Sequence, residues 1–142
     1  MRILTTSSRA HPRPDLIVDT LDYVVTKYPN ETLVFIHGGC PDGKKDPDKL
    51  SGDMVVDRWA KRNGHKVEDY PVTDEEWETL GLKAGPIRNK KMVGLGAELC
   101  LAFPIGDSKG TRGCASMAAK AGINTRVFEL EEGNLIPYIL RK

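Results

Sequence analysis

The sequence predicts an α/β fold in which a largely parallel sheet is covered by helices on both faces. Three observations carry that expectation. Residues 32–36 (Thr-Leu-Val-Phe-Ile) and 99–103 (Leu-Cys-Leu-Ala-Phe) are short apolar runs without alternation, the pattern of strands buried on both sides. Around them lie segments whose apolar residues recur at helical intervals, so strands and helices alternate and call for crossover connections. Glycine- or serine-rich junctions also fall at the expected rim of the sheet, at 6–9, 37–40, 85–89 and 104–111.

Taken in order, residues 2–6 read as a first strand that ends in Ser7-Ser8-Arg9. Pro12 and Pro14 delay the following helix, and Asp15 stands near its start. Ile17, Leu21, Val24 and Val25 form its apolar stripe, and Pro29-Asn30 ends it. The strand at 32–36 leads into His37-Gly38-Gly39-Cys40, then into a charged connection over 41–50. A helix over 54–63 carries Val55, Val56, Trp59 and Ala60 on one face, and Gly64 stops it. Residues 65–72 form a strand polar enough for a sheet edge. Thr73 and Glu76 have the spacing of a capping box.

Gly85-Pro86 is expected to open the next helix, with Arg88 near its first turn and Met92, Val93 and Leu95 facing inward. After the strand at 99–103, Pro104 ends ladder pairing, Gly106 and Gly110 turn the chain, and Thr111 is placed to cap a helix. Ala115, Met117, Ala118 and Ala121 give that helix a small-residue face. A strand at 124–128 follows, and residues 128–142 form an edge strand or tail, because Pro137 cannot donate inside a sheet.

Composition narrows the functional classes. The 142 residues suit one domain, 1–142, with a single core. A net charge of +1, without a basic face or tail, argues against nucleic acid as the partner. No apolar run is long enough to span a bilayer, and the first residues lack the pattern of a signal peptide. Cys40, Cys100 and Cys114 form no C-x-x-C pair, so a cytoplasmic setting is expected. The three histidines lack metal-ligand spacing with one another or with cysteine, and no metal or cofactor is expected.

In a parallel sheet, ligands lie outside the carboxyl ends of the strands, near the switch in strand order. A strand, a glycine-rich loop and a helix start aim free amides at one point and favour an anion, phosphate above all. The candidate ligand-binding residues are therefore Ser8, Arg9, Gly38, Gly39, Asp53, Gly85, Pro86, Arg88, Asn89, Pro104, Gly106, Lys109, Gly110 and Thr111. Arg88 and Arg9 would clamp the anion. Asp53 would cap its own helix, and Asn89 would hold a loop. His37 reads as a structural group or a pocket wall. Cys114, expected in the first turn of a helix, would have its pKa lowered by the dipole. Trp59 and Trp77 read as core or interface anchors, with base stacking a second reading for Trp77.

Several of these segments together resemble a known family. Ser-Ser-Arg at 7–9, His-Gly-Gly at 37–39, Gly52-Asp53 with Arg58-Trp59-Ala60, Ala84 through Asn89 with Met92, Ala102-Phe103-Pro104, Gly110-Thr111 and Ala121-Gly122-Ile123 occur in an order similar to the YspA-like branch of the SLOG superfamily. That Rossmann-like group includes the Smf/DprA and LONELY GUY proteins. The resemblance covers roughly residues 2–128 and implies a three-layer Rossmann-like sandwich with a mostly parallel sheet. It also implies a pocket for a nucleotide or nucleotide-derived small molecule, held by a sensor or sequestering protein, with a homodimer as an open partner. For Asp53 it implies the other reading of a bond to ribose hydroxyls, and for Asn89 that of reading a base edge. Two alternatives follow from it: a nucleoside 5′-monophosphate phosphoribohydrolase that cleaves the N-glycosidic bond, and a nucleic-acid-binding module like Smf/DprA. Three departures stand against the pattern. Ser7 replaces an expected glycine, 41–50 is an extra charged segment, and Cys114 stands where the hydrolases carry glutamate, with Asp53 or Glu98 as substitutes.

Overall fold

The computed structural model describes residues 1–42 and 50–142. Among these residues six strands and five helices follow in the order β1 (Arg2–Ser7), α1 (Pro14–Val25), β2 (Val34–His37), α2 (Gly52–Arg62), β3 (Lys66–Asp69), α3 (Asp74–Leu80), α4 (Ala84–Gly94), β4 (Leu99–Phe103), α5 (Lys109–Lys120), β5 (Asn124–Glu131) and β6 (Asn134–Leu140). A 3-10 turn, Gly81–Lys83, joins α3 to α4. The charged connection expected over 41–50 falls mostly on 43–49, outside the described residues.

The strands form one sheet in the order β3-β2-β1-β4-β5-β6. All neighbours are parallel except β6, which pairs antiparallel with β5 through the turn at Gly133, so residues 134–140 complete the sheet as an edge. Pro137 sits in that edge strand, and polar β3 forms the other edge. The chain builds outward from β1 in one direction as far as β3, then crosses to the opposite side of β1 with β4. The order therefore switches between β1 and β4.

The pleat sends alternate side chains to opposite layers. Ile3, Phe35, Leu99, Leu101 and Phe103 pack against Ile17 and Leu21 of α1 and Val56 and Trp59 of α2. Leu4, Ile36 and Cys100 pack against Met92 and Val93 of α4 and Cys114 and Ala118 of α5. Helices thus cover both faces, and the architecture is a three-layer Rossmann-like sandwich. Trp59 is a core anchor, edge-on to Phe35 at 5.1 Å, with its indole N–H donated to Asp22 at 2.8 Å. Leu95, expected inside, is 48% exposed because α4 ends at Gly94 and its buried stripe stops at Val93.

Helix starts differ from expectation at three places. Ser51, not Asp53, caps α2, accepting the Met54 amide at 3.1 Å. α4 begins at Ala84, because the 3-10 turn feeds directly into it, which puts Arg88 on its second turn. α5 begins at Lys109, so Thr111 lies inside its first turn and Ser108 is the N-cap. The Thr73–Glu76 capping box forms as the spacing predicts, with each residue's side chain meeting the other's amide at 3.1 Å.

Candidate functional site

The carboxyl ends of β1, β2 and β4 open on one cleft of about 1190 Å³. It lies at the switch between β1 and β4, where an open α/β sheet leaves a crevice. Ser8, Arg9, Gly38, Gly39, Asp53, Gly85, Pro86, Arg88, Asn89, Lys109, Gly110 and Thr111 all line it. Pro104 and Gly106 do not. Pro104 faces a separate recess of about 210 Å³ beside Arg112 and Tyr138. Gly106 uses its positive φ of 58° to turn the chain, and its carbonyl accepts from Arg112 Nη2 at 2.7 Å.

One wall is built from the loop after β2. His37 is fully buried, and its Nδ1 accepts the Gly39 amide at 2.9 Å. That bond leaves the ring proton on Nε2, 2.8 Å from Asp57 Oδ1. His37 is therefore the structural group of the two readings: it ties the glycine loop to α2. Asp57 also meets Lys61 at 2.8 Å; burial raises its pKa, but Lys61 and His37 outweigh that and hold it low. Asp53 Oδ2 accepts the Cys40 amide at 3.1 Å, and the carboxyl is buried on the cleft wall. Desolvation raises its pKa against the backbone bonds and cations that oppose it.

Arg88 reaches back from α4 to the same loop. Its Nη1 donates to the carbonyls of Gly38 and Tyr70, and its Nε donates to Asn89 Oδ1 at 2.8 Å. The guanidinium is thus a brace for the loop, with Nη2 the part not engaged among the described residues. Gly38 lies so close that a Cβ there would stand 2.5 Å from Arg88 Nη1. Buried Asn89 passes the tie onward, donating to the Gly110 carbonyl at 3.4 Å, so its role is to hold a loop.

The facing wall is the start of α5. Ser108 has φ 37°, in the left-handed region that a non-glycine residue adopts at a cost. Its side chain does not cap the helix; its Oγ lies 2.6 Å from Ser8 Oγ. The first intrahelical bond runs from the Arg112 amide to the Ser108 carbonyl at 2.9 Å. The amides of Lys109, Gly110 and Thr111 meet no acceptor among the described residues. They are the uncompensated donors of a helix N-terminus. Ser7 Oγ, by contrast, is a buried polar atom on the cleft wall without a partner among the described residues. The side chain that replaces the expected glycine fits because Gly52 faces it, where a Cβ would meet Ser7 Oγ at 1.8 Å.

Several functional features were not foreseen from the chain. Arg112 braces the loop before α5, donating to the Gly106 and Asp107 carbonyls and pairing with Glu129 at 2.6 Å. Nothing local in the sequence announces a partner 17 residues away. Likewise the Ser8–Ser108 contact joins residues 100 apart. Cys114 is corrected outright. It is the sixth residue of α5 and lies buried in the core beside Leu4 and Cys100. Burial pushes its thiol up to about 11, the opposite of the expected dipole effect. Glu98 lies at the other end of the sheet, accepting the Arg2 amide at 2.6 Å, so of these two carboxylates Asp53 alone lines the cleft. Among the described residues no cluster of three or more His, Cys, Asp or Glu could hold a metal ion. No helix there is long and apolar enough to cross a membrane.

No family model matches this chain. The Gene 61 protein of Mycobacterium phage D29 is 40% identical to it over 126 residues, covering 86% of this chain and 91% of that protein.

Proposed function

This chain belongs to the same family as the phage D29 Gene 61 protein, and we propose that it binds a nucleotide or nucleotide-derived small molecule in the cleft, as a sensor or sequestering protein. The observation that carries the reading is the start of α5. Three amides without acceptors face a cleft that Lys109 and Arg9 also line, with no side-chain cap to compete. An anion at such a helix start is worth about 0.3–2 kcal/mol from the dipole alone, before any charge-assisted hydrogen bond. The left-handed Ser108 fits this role: backbone strain held in place at a loop is the mark of a ligand clamp. Arg88 contributes by shaping the opposite loop more than by reaching the anion. The resemblance to the SLOG group points to the same class of ligand.

The test is calorimetric titration of the protein with ribose 5-phosphate at low and moderate salt. Binding that weakens with salt, and weakens about 5- to 30-fold in Lys109→Ala or Arg9→Ala, is expected from losing about 1–2 kcal/mol of charge-assisted contact. Absence of binding up to millimolar ribose 5-phosphate overturns the reading.

Asp53 favours one second reading, hydrolysis of a nucleotide N-glycosidic bond. A buried carboxyl with a raised pKa, on a cleft wall, has the attributes of a general acid. Free base released from a nucleoside monophosphate by the native protein, and not by Asp53→Asn, would establish it; no release leaves the binding reading alone. Binding of nucleic acid has no such support, since the net charge is +1.

A further inference from the structure

We infer that the cleft has a second, aromatic subsite on α3: the ligand carries a planar base that stacks on Trp77 while its phosphate lies at the start of α5. The inference rests on the proposed phosphate site and adds what occupies the other end of the same cleft.

The argument begins with an element that has no place in the core. α3 and the 3-10 turn after it bury none of their residues. The helix is secured by its own capping box, with Thr73 and Glu76 exchanging both bonds. Its acidic first turn faces water. Yet Asp-Glu-Glu-Trp-Glu-Thr-Leu places a tryptophan in this polar segment, and Leu82 follows in the turn. Trp77 is 37% exposed and Leu82 94% exposed, and both line the cleft. Pro71, Val72 and Pro86 continue the same wall. Trp59, by contrast, is anchored in the core. An open apolar wall of this kind loses contact with water only when something fills the cleft.

The wall also has the polarity of a base site. The Arg9 guanidinium carbon stands 5.5 Å from the centroid of the Trp77 ring, and Arg9 pairs with no carboxylate among the described residues. Arg9 therefore joins an aromatic face to a positive charge. A molecule that is planar and apolar at one end and anionic at the other satisfies both. A sugar phosphate satisfies only the anionic end, and a plain aromatic compound only the other. A cleft of about 1190 Å³ leaves room for both parts at once. A nucleotide is the small-molecule class with that division.

The experiment compares ribose 5-phosphate with the four ribonucleoside 5′-monophosphates by calorimetry, on the native protein, Trp77→Ala and Trp77→Phe. Because Trp77 supports no core contact, the variants keep the fold, which circular dichroism checks. One base–aromatic stack is worth about 1–3 kcal/mol, or about 5- to 150-fold in affinity. At least one monophosphate should bind the native protein more tightly than ribose 5-phosphate by that factor. Trp77→Ala should remove the advantage while ribose 5-phosphate still binds, and should be rescued by Trp77→Phe. If ribose 5-phosphate binds but no monophosphate gains on it, or if Trp77→Ala leaves the gain intact, the aromatic subsite is overturned and the phosphate site stands. If ribose 5-phosphate and all four monophosphates fail to bind, the phosphate site falls and the subsite with it.

Discussion

Gly38 has no room for a methyl group. The added Cβ would come within 2.5 Å of Arg88 Nη1 and 2.6 Å of Cζ, and the guanidinium cannot simply swing aside, because Gly38, Tyr70 and Asn89 hold it. Gly38→Ala is therefore expected to cost about 1–3 kcal/mol, the worth of displaced hydrogen bonds to a charged group. In an Arg88→Ala background the same change should cost far less, and urea denaturation of the double-mutant cycle measures the difference. Additive effects would mean the two residues are not coupled. At this scale the sequence was legible for residue type and less so for role. It marked Arg88, Gly38 and Asn89 as neighbours of a site, but read Arg88 as an anion clamp. Which acceptors a guanidinium finds depends on how α4 docks against the loop after β2, and no local spacing records that. Cys114 was misplaced for the same reason, since a cap of α5 three residues earlier, at Ser108 in place of Thr111, moves it from the first turn into the core.

The capped helices differ in what their caps are worth to the molecule. Ser51 accepts the Met54 amide and donates to the Cys40 carbonyl, so it ties the start of α2 to the cleft loop above a buried stripe. Ser51→Ala should lower stability by about 1–2 kcal/mol. Thr73 caps α3, which buries nothing, so Thr73→Ala should loosen that helix locally while the global denaturation midpoint hardly moves. Amide hydrogen exchange beside urea denaturation separates the two cases; equal global losses would contradict the peripheral placing of α3. Elements as such were legible wherever burial sets a period. The run at 99–103 is β4 itself, the run at 32–36 enters β2 only from Val34, and polar β3 and proline-bearing β6 fell at the edges. Helix starts were less legible. Glycine marks where a chain turns without fixing on which side of it the first hydrogen bond forms. A left-handed serine at a cap has no signature at all.

At the scale of the whole molecule, acid should act in two opposing ways. Arg112 holds the Glu129 carboxyl below its ordinary range, and Arg2 does the same for Glu68. Such groups add stability that is present above the unfolded carboxylate pKa of about 4.3 and is lost as pH falls through their lower folded values. Both pairs are partly exposed, so each contributes little and salt reduces it. Asp53 has the reverse sign: its folded pKa is raised, so its charged form costs stability at neutral pH, and protonation relieves that cost as pH falls. Asp53→Asn should raise the thermal midpoint at pH 7, with the gain vanishing in acid; a lower midpoint at pH 7 would show that the carboxylate's bond to Cys40 outweighs its burial. The cleft itself has a wider consequence. Its walls come from both halves of the chain, one running through β3 and α3 and the other beginning with α4, and these meet across the seam between β1 and β4. A guest lodged there acts as a rivet through that seam, so occupancy and the mutual stiffness of the two halves rise and fall together.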